Sequence, residues 1–134
     1  MGAQYRQEML NKVDHCTFEH LVKNAKPSAT GPDGLSYTAW AMAGAQGIKT
    51  LVAVHDWCSE GMDMPIDFYA SILICPPKGA TPNTTIEKHW DETRPLSLKN
   101  TDSKLIAAAQ SWTLRPWIKK EISNAQRGFV PQRQ

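Results

Sequence analysis

The chain has 134 residues, 41% of them apolar, with nine prolines and a net charge of +2. That is enough for one domain or a piece of one, with a modest core and many loops. Its longest apolar runs, around Leu51 and Ile72, are far too short to span a bilayer and predict no membrane crossing. Charge is unevenly spread: residues 1–66 carry five basic and seven acidic side chains, residues 67–134 ten and six, so the second half is the one suited to a polyanion. Three cysteines, Cys16, Cys58 and Cys75, are odd in number and without framework spacing. They fit reduced thiols in an intracellular protein, cytoplasmic or nuclear.

In chain order, Tyr5, Met9, Leu10 and Val13 form one stripe of a short helix, the core of a helical lead-in over residues 1–16. Thr17 is placed to cap a second helix near 17–24 that turns Phe18, Leu21 and Val22 inward. The segment Lys26 to Gly34 breaks the pattern: Pro32 at a turn's second position, Asp33 beside it and Gly34 where positive φ is needed predict a tight turn. Ser36 or Thr38 can cap a helix through Trp40 and Met42, interrupted over Gly44 to Gly47. A longer helix near 48–60 follows, with Leu51, Val54, His55 and Cys58 on one side. His55 and Cys58 have ligand-like spacing, with His15, Cys16 and His20 upstream, but no CxxC or HxxxH completes a zinc set, and a buried histidine and thiol are the preferred reading.

Residues 69–76 include a short run with β-branched isoleucines that suits a strand, and residues 94–98 form a second, with Leu96 and Leu98 alternating against Pro95 and Ser97. Strands adjacent in sequence tend to pair antiparallel, which sets Lys78 and Arg94 at the two feet of one polar loop. Facing cations destabilise a strand pair unless an anion sits between them, so the pair is either a phosphate clamp or a surface pair neutralised by Asp91 and Glu92. Beyond the hairpin, a helix near 103–120 carries Leu105, Ile106, Ala109 and Trp112 as apolar positions, and Pro116 predicts a kink or restart. From Ser103 onward six basic residues, Lys104, Arg115, Lys119, Lys120, Arg127 and Arg133, face one acid, Glu121: a solvated face or a nucleic-acid contact.

Several of these pieces together resemble a known family. They are Ala29-Thr-Gly-Pro-Asp-Gly-Leu35, Gly61-Met-Asp-Met-Pro65, Ser71-Ile-Leu-Ile-Cys-Pro-Pro-Lys78, the run RPLSLKNTDSKLI from Arg94 to Ile106, and Gln126-Arg-Gly-Phe-Val-Pro-Gln-Arg133. In order and rough spacing they resemble the fingers and early palm of reverse transcriptases, RNA-directed DNA polymerases, of the non-LTR, LINE-like retrotransposon type. The resemblance covers residues 17–134 and implies a partial domain with an α+β fold, one antiparallel hairpin flanked by helices. It implies that Lys78 and Arg94 hold the incoming dNTP triphosphate. For Lys104, Arg115, Lys119, Lys120, Gln126, Arg127 and Phe129 it implies contact with an RNA template or RNA–DNA hybrid. Gln126, Gly128 and Phe129 match the family's QxGF, whereas Pro77 and Gln132 depart from its usual residues at their positions.

The resemblance also implies Mg²⁺ for the complete domain, held by palm aspartates that follow the QxGF element. No adjacent Asp-Asp pair occurs in this chain. The chain itself is therefore expected to hold no cofactor and to be inactive alone as a polymerase. Alternative readings are a non-catalytic RNA-binding module, a helical protein-interaction domain, or the product of a truncated reading frame.

Overall fold

The computed structural model describes residues 13–79, 89–123, 125 and 126. Among them the order is α1 (His15–Asn24), α2 (Tyr37–Met42), α3 (Gly44–Ser59), α4 (Ile66–Tyr69), β1 (Ser71–Ile74), a short 3-10 turn (Trp90–Glu92), β2 (Leu96–Lys99) and α5 (Thr101–Glu121). The architecture is α+β: three longer helices around a core, with one two-stranded antiparallel sheet beside them.

α1 and α2 each start at a side-chain cap. α1 is capped by Asp14 rather than Thr17; the Asp14 carboxylate accepts the Thr17 N–H and the Thr17 hydroxyl, both at 2.8 Å. Thr17 is thus a first-turn donor, and the acid that precedes it takes the orphan amide. α2 is capped by the Ser36 hydroxyl, which accepts the Ala39 N–H at 3.3 Å. The chain breaks at Gly44, whose φ is 55°, but the break ends there. Gly47 lies buried inside α3, where a Cβ would press on Ala43 at 2.8 Å, so its glycine allows close packing rather than an interruption.

The core is the meeting of α1, α3 and α5. Val13, Phe18, Val22, Ile48, Leu51, Leu105, Ile106 and Ala109 are buried, with Leu21, Tyr37, Trp40, Val52, Val54 and Phe68 packed around them. Residues four or three apart on each helix supply this stripe. His55 is buried, its ring edge-on to Phe18 at 6.1 Å between centroids, and Cys58 is half-buried. The lead-in helix expected over residues 4–12 lies outside the described residues; Val13, at its end, joins the core.

Three expectations are corrected beyond the hairpin and in it. Trp112 is 43% exposed and lies off the core stripe, which ends at Ala109. α5 runs unbroken through Pro116: the missing N–H removes one bond, and the ladder resumes, with the Ile122 N–H still bonded to the Ile118 carbonyl at 3.1 Å. The strands are shorter and shifted from 69–76 and 94–98, because Tyr69 closes α4 and the ladder of the second strand runs on to Lys99.

What fastens the hairpin to the helices is a polar knot at the start of α5. Asn100 is buried; its Oδ1 accepts the Asp33 N–H at 3.3 Å, and its Nδ2 donates to the Asp67 carbonyl at 3.3 Å. Thr101, fully buried, donates its hydroxyl to the Leu35 carbonyl at 2.9 Å and accepts the Trp40 indole N–H at 3.0 Å. The turn that meets this knot is the expected one: the Gly34 N–H returns to the Gly31 carbonyl at 3.1 Å, and Gly34 has φ 70°. Gly31 is required for a different reason, since a Cβ there would overlap the Asn100 backbone nitrogen and side-chain oxygen.

Two substitutions test the knot. Asn100→Ala, which orphans two backbone groups, is expected to lower the unfolding free energy by about 2 kcal/mol. Gly31→Ala, which forces backbone apart, should lower it by about 3 kcal/mol or more. Urea unfolding followed by far-UV circular dichroism measures both; wild-type midpoints for both variants would show that the knot does not hold the fold.

Candidate functional site at the hairpin base

β1 and β2 pair antiparallel with Ser71 opposite Lys99, Ile72 opposite Leu98, Leu73 opposite Ser97 and Ile74 opposite Leu96. The same register continues past the strands, through a bridge between Pro77 and Thr93. The Arg94 N–H donates to the Pro76 carbonyl at 3.0 Å, and the Lys78 N–H to the Glu92 carbonyl at 2.8 Å. Pro76 has no N–H, so that pairing is made from the arginine side alone.

This register decides the geometry of the two cations. Residues 72, 74, 76 and 78 share one face with 98, 96, 94 and 92. Lys78 and Arg94 therefore stand on the same face as diagonal neighbours, a relation that sets Cα atoms about 7–8 Å apart. Both are exposed. The Lys78 ammonium donates to the Asp91 carbonyl oxygen at 2.8 Å, while the Asp91 carboxylate is taken by His89 at 2.7 Å. Among the described residues neither Lys78 nor Arg94 forms an ion pair.

The Lys104 ammonium donates to the Ala29 carbonyl at 2.8 Å and so braces the turn before Gly31. Arg115 lies exposed in the second half of α5, with its guanidinium carbon 4.8 Å from the centre of the Trp112 ring. Lys119 and Lys120 belong to α5, though their side chains lie outside what is described. Gln126 is exposed in the turn after α5, its N–H bonded to the Ser123 carbonyl at 3.0 Å. Arg127 and Phe129 lie outside the described residues.

Other features of the surface are separate from the hairpin. An open hollow of 820 Å³ on the outer side of α3 is lined by Lys49, Ala53, Val54, Trp57, Asp63 and Met64, among others, and by no hairpin residue. Among the described residues no three His, Cys, Asp or Glu side chains come together as metal ligands. No described helix is long and apolar enough to cross a membrane. Sequence reasoning missed the knot, although Asn100 directly before a helical run is an N-terminal signal, and it missed the contact between His20 and Trp112, which no periodicity announces.

A comparison with models of known protein families finds no match to the sequence.

Asp102, half-buried in the first turn of α5, offers a pH test of this region. Burial pushes its carboxyl above the ordinary value of 3.8 and the charge of Asp33 adds to the rise, against the opposing Ser103 N–H. A raised folded-state value means that stability is greatest with the group protonated and falls as pH rises through that value. Asp102→Asn should therefore raise the melting temperature at neutral pH, with a gain that disappears below pH 3.8. A gain that persists unchanged in acid would contradict this.

Proposed function

We propose that this chain is the fingers portion of an RNA-directed DNA polymerase of the retrotransposon type, gripping the triphosphate of an incoming dNTP and contacting the RNA template. The observation that supports the triphosphate grip is the common face of Lys78 and Arg94, both exposed and without an ion-pair partner among the described residues. Two like charges held as diagonal neighbours repel each other, and an anion bridging them removes that repulsion. The arginine fork takes two phosphate oxygens and the lysine acts as a point charge. The family resemblance of the motifs around these two residues gives the anion its identity as a triphosphate. The basic second half of the chain supports an RNA contact through the phosphate backbone. In this reading the chain supplies grip and positioning, and the metal-dependent chemistry belongs to aspartates that these residues do not include.

The test is direct binding of dNTP to the chain. Arg94→Ala and Lys78→Ala should each weaken dNTP binding about tenfold, the loss of one charge-assisted contact. Arg94→Lys should weaken it more than Lys78→Arg, and both alanine variants should bind single-stranded RNA nearly as wild type. A nucleoside without phosphates that binds as well as dNTP, or alanine variants that bind dNTP normally, would refute the grip. RNA binding without any triphosphate dependence would favour the non-catalytic RNA-binding module.

A further inference from the structure

α1 and α5 bring three flat groups together. The His20 and Trp112 rings lie 5.1 Å apart between centroids at 48° to each other, and the Arg115 guanidinium carbon sits 4.8 Å from the centre of the same indole. All three residues are exposed, and Trp112 keeps 43% of its surface open although Ala109, one turn earlier, is fully buried. His20 is steadied from below: Asn24 donates its amide N–H to the His20 carbonyl at 2.8 Å and lies 3.3 Å from the ring Nδ1. The Trp112 indole N–H has no partner among the described residues. Lys23, one turn along from His20 in the last turn of α1, is exposed, and neither it nor Arg115 forms an ion pair among the described residues.

A tryptophan left open at the end of a core stripe, between an imidazole and an unpaired guanidinium, has the chemistry that receives an unpaired base. Planar bases stack on indole and on guanidinium planes, and the same site needs cations for the adjoining phosphates. Charge complementarity selects the occupant, because among the described residues no carboxylate pairs with the cations beside the rings. The geometry points to His20, Trp112 and Arg115 as a stacking platform for an unpaired base of single-stranded RNA, with Lys23 and Arg115 holding the flanking phosphates. This rests on the RNA-binding part of the function proposed above and adds to it a base contact and two residues, His20 and Trp112, that were not among the expected contacts. A duplex cannot use the platform, since its bases are already stacked on one another.

The experiment compares two labelled ligands of equal length and charge, a short single-stranded oligoribonucleotide and an abasic strand with the same sugar–phosphate backbone, by fluorescence anisotropy with the whole chain. Trp112→Leu keeps an apolar contact with α1 and removes the aromatic face; Trp112→Phe keeps a smaller face. His20→Ala, at an exposed position, is a second variant that leaves the core untouched. Trp112→Leu is expected to weaken binding of the base-bearing strand about tenfold and His20→Ala less, with Trp112→Phe close to wild type and the abasic strand bound equally by all. Thermal melts show whether each variant is folded; if Trp112→Leu is not, the His20→Ala and Trp112→Phe comparison decides. If wild type binds both strands equally, or if the variants lose both equally, the platform is wrong while phosphate-led RNA binding stands. If wild type binds neither strand, the RNA-binding reading and the platform fall together.

Discussion

The hairpin that carries the candidate site is fastened to the helices through Asn100. Its side chain is buried between the turn at Asp33 and the first turn of α4 at Asp67, and its backbone joins β2 to α5. A buried amide is tolerated only when its donors and acceptors are met, and here both the oxygen and the nitrogen have backbone partners. Thr101 beside it is fully buried and meets the same requirement through Leu35 and Trp40. The two together convert a hairpin with little core of its own into a feature fixed on the helices. Ile72, Leu73, Ile74 and Leu96 are all exposed to some degree, so the sheet is not held by burial of its faces.

That dependence also explains which parts of the molecule were legible beforehand. The GPDG turn was readable because proline, aspartate and glycine each act within four residues. The hairpin pairing was readable because β-branched residues and an alternating leucine pair set its period. Helix starts were readable only where the local donor was unambiguous: Ser36 caps as expected, whereas Asp14 and Thr17 compete for one helix end and the carboxylate takes it. Pro116 does not restart the helix, because a single lost bond is outweighed by the turns on either side. The reading of Trp112 as a core residue failed for a similar reason: periodicity names a face, and it does not say where along the helix the opposing partner stops.

The candidate site divides along the same line. The position of Lys78 and Arg94 on one face follows from strand register, a short-range property, and was legible. Among the described residues neither forms an ion pair, and the Asp91 carboxylate turns to His89, which no spacing reveals. The ammonium of Lys104, grouped with the nucleic-acid contacts by charge and motif, donates to the Ala29 carbonyl, as that of Lys78 donates to the Asp91 carbonyl.

The central claim is that Lys78 and Arg94 act on one anion. A double-mutant cycle measures this most directly, with inorganic tripolyphosphate as ligand and the variants Lys78→Ala, Arg94→Ala and the pair together. If both cations hold the same phosphate chain, the effects are not additive and the cycle returns a coupling energy of about 0.5–3 kcal/mol. Strict additivity, with each substitution acting as though the other residue were absent, would contradict the account.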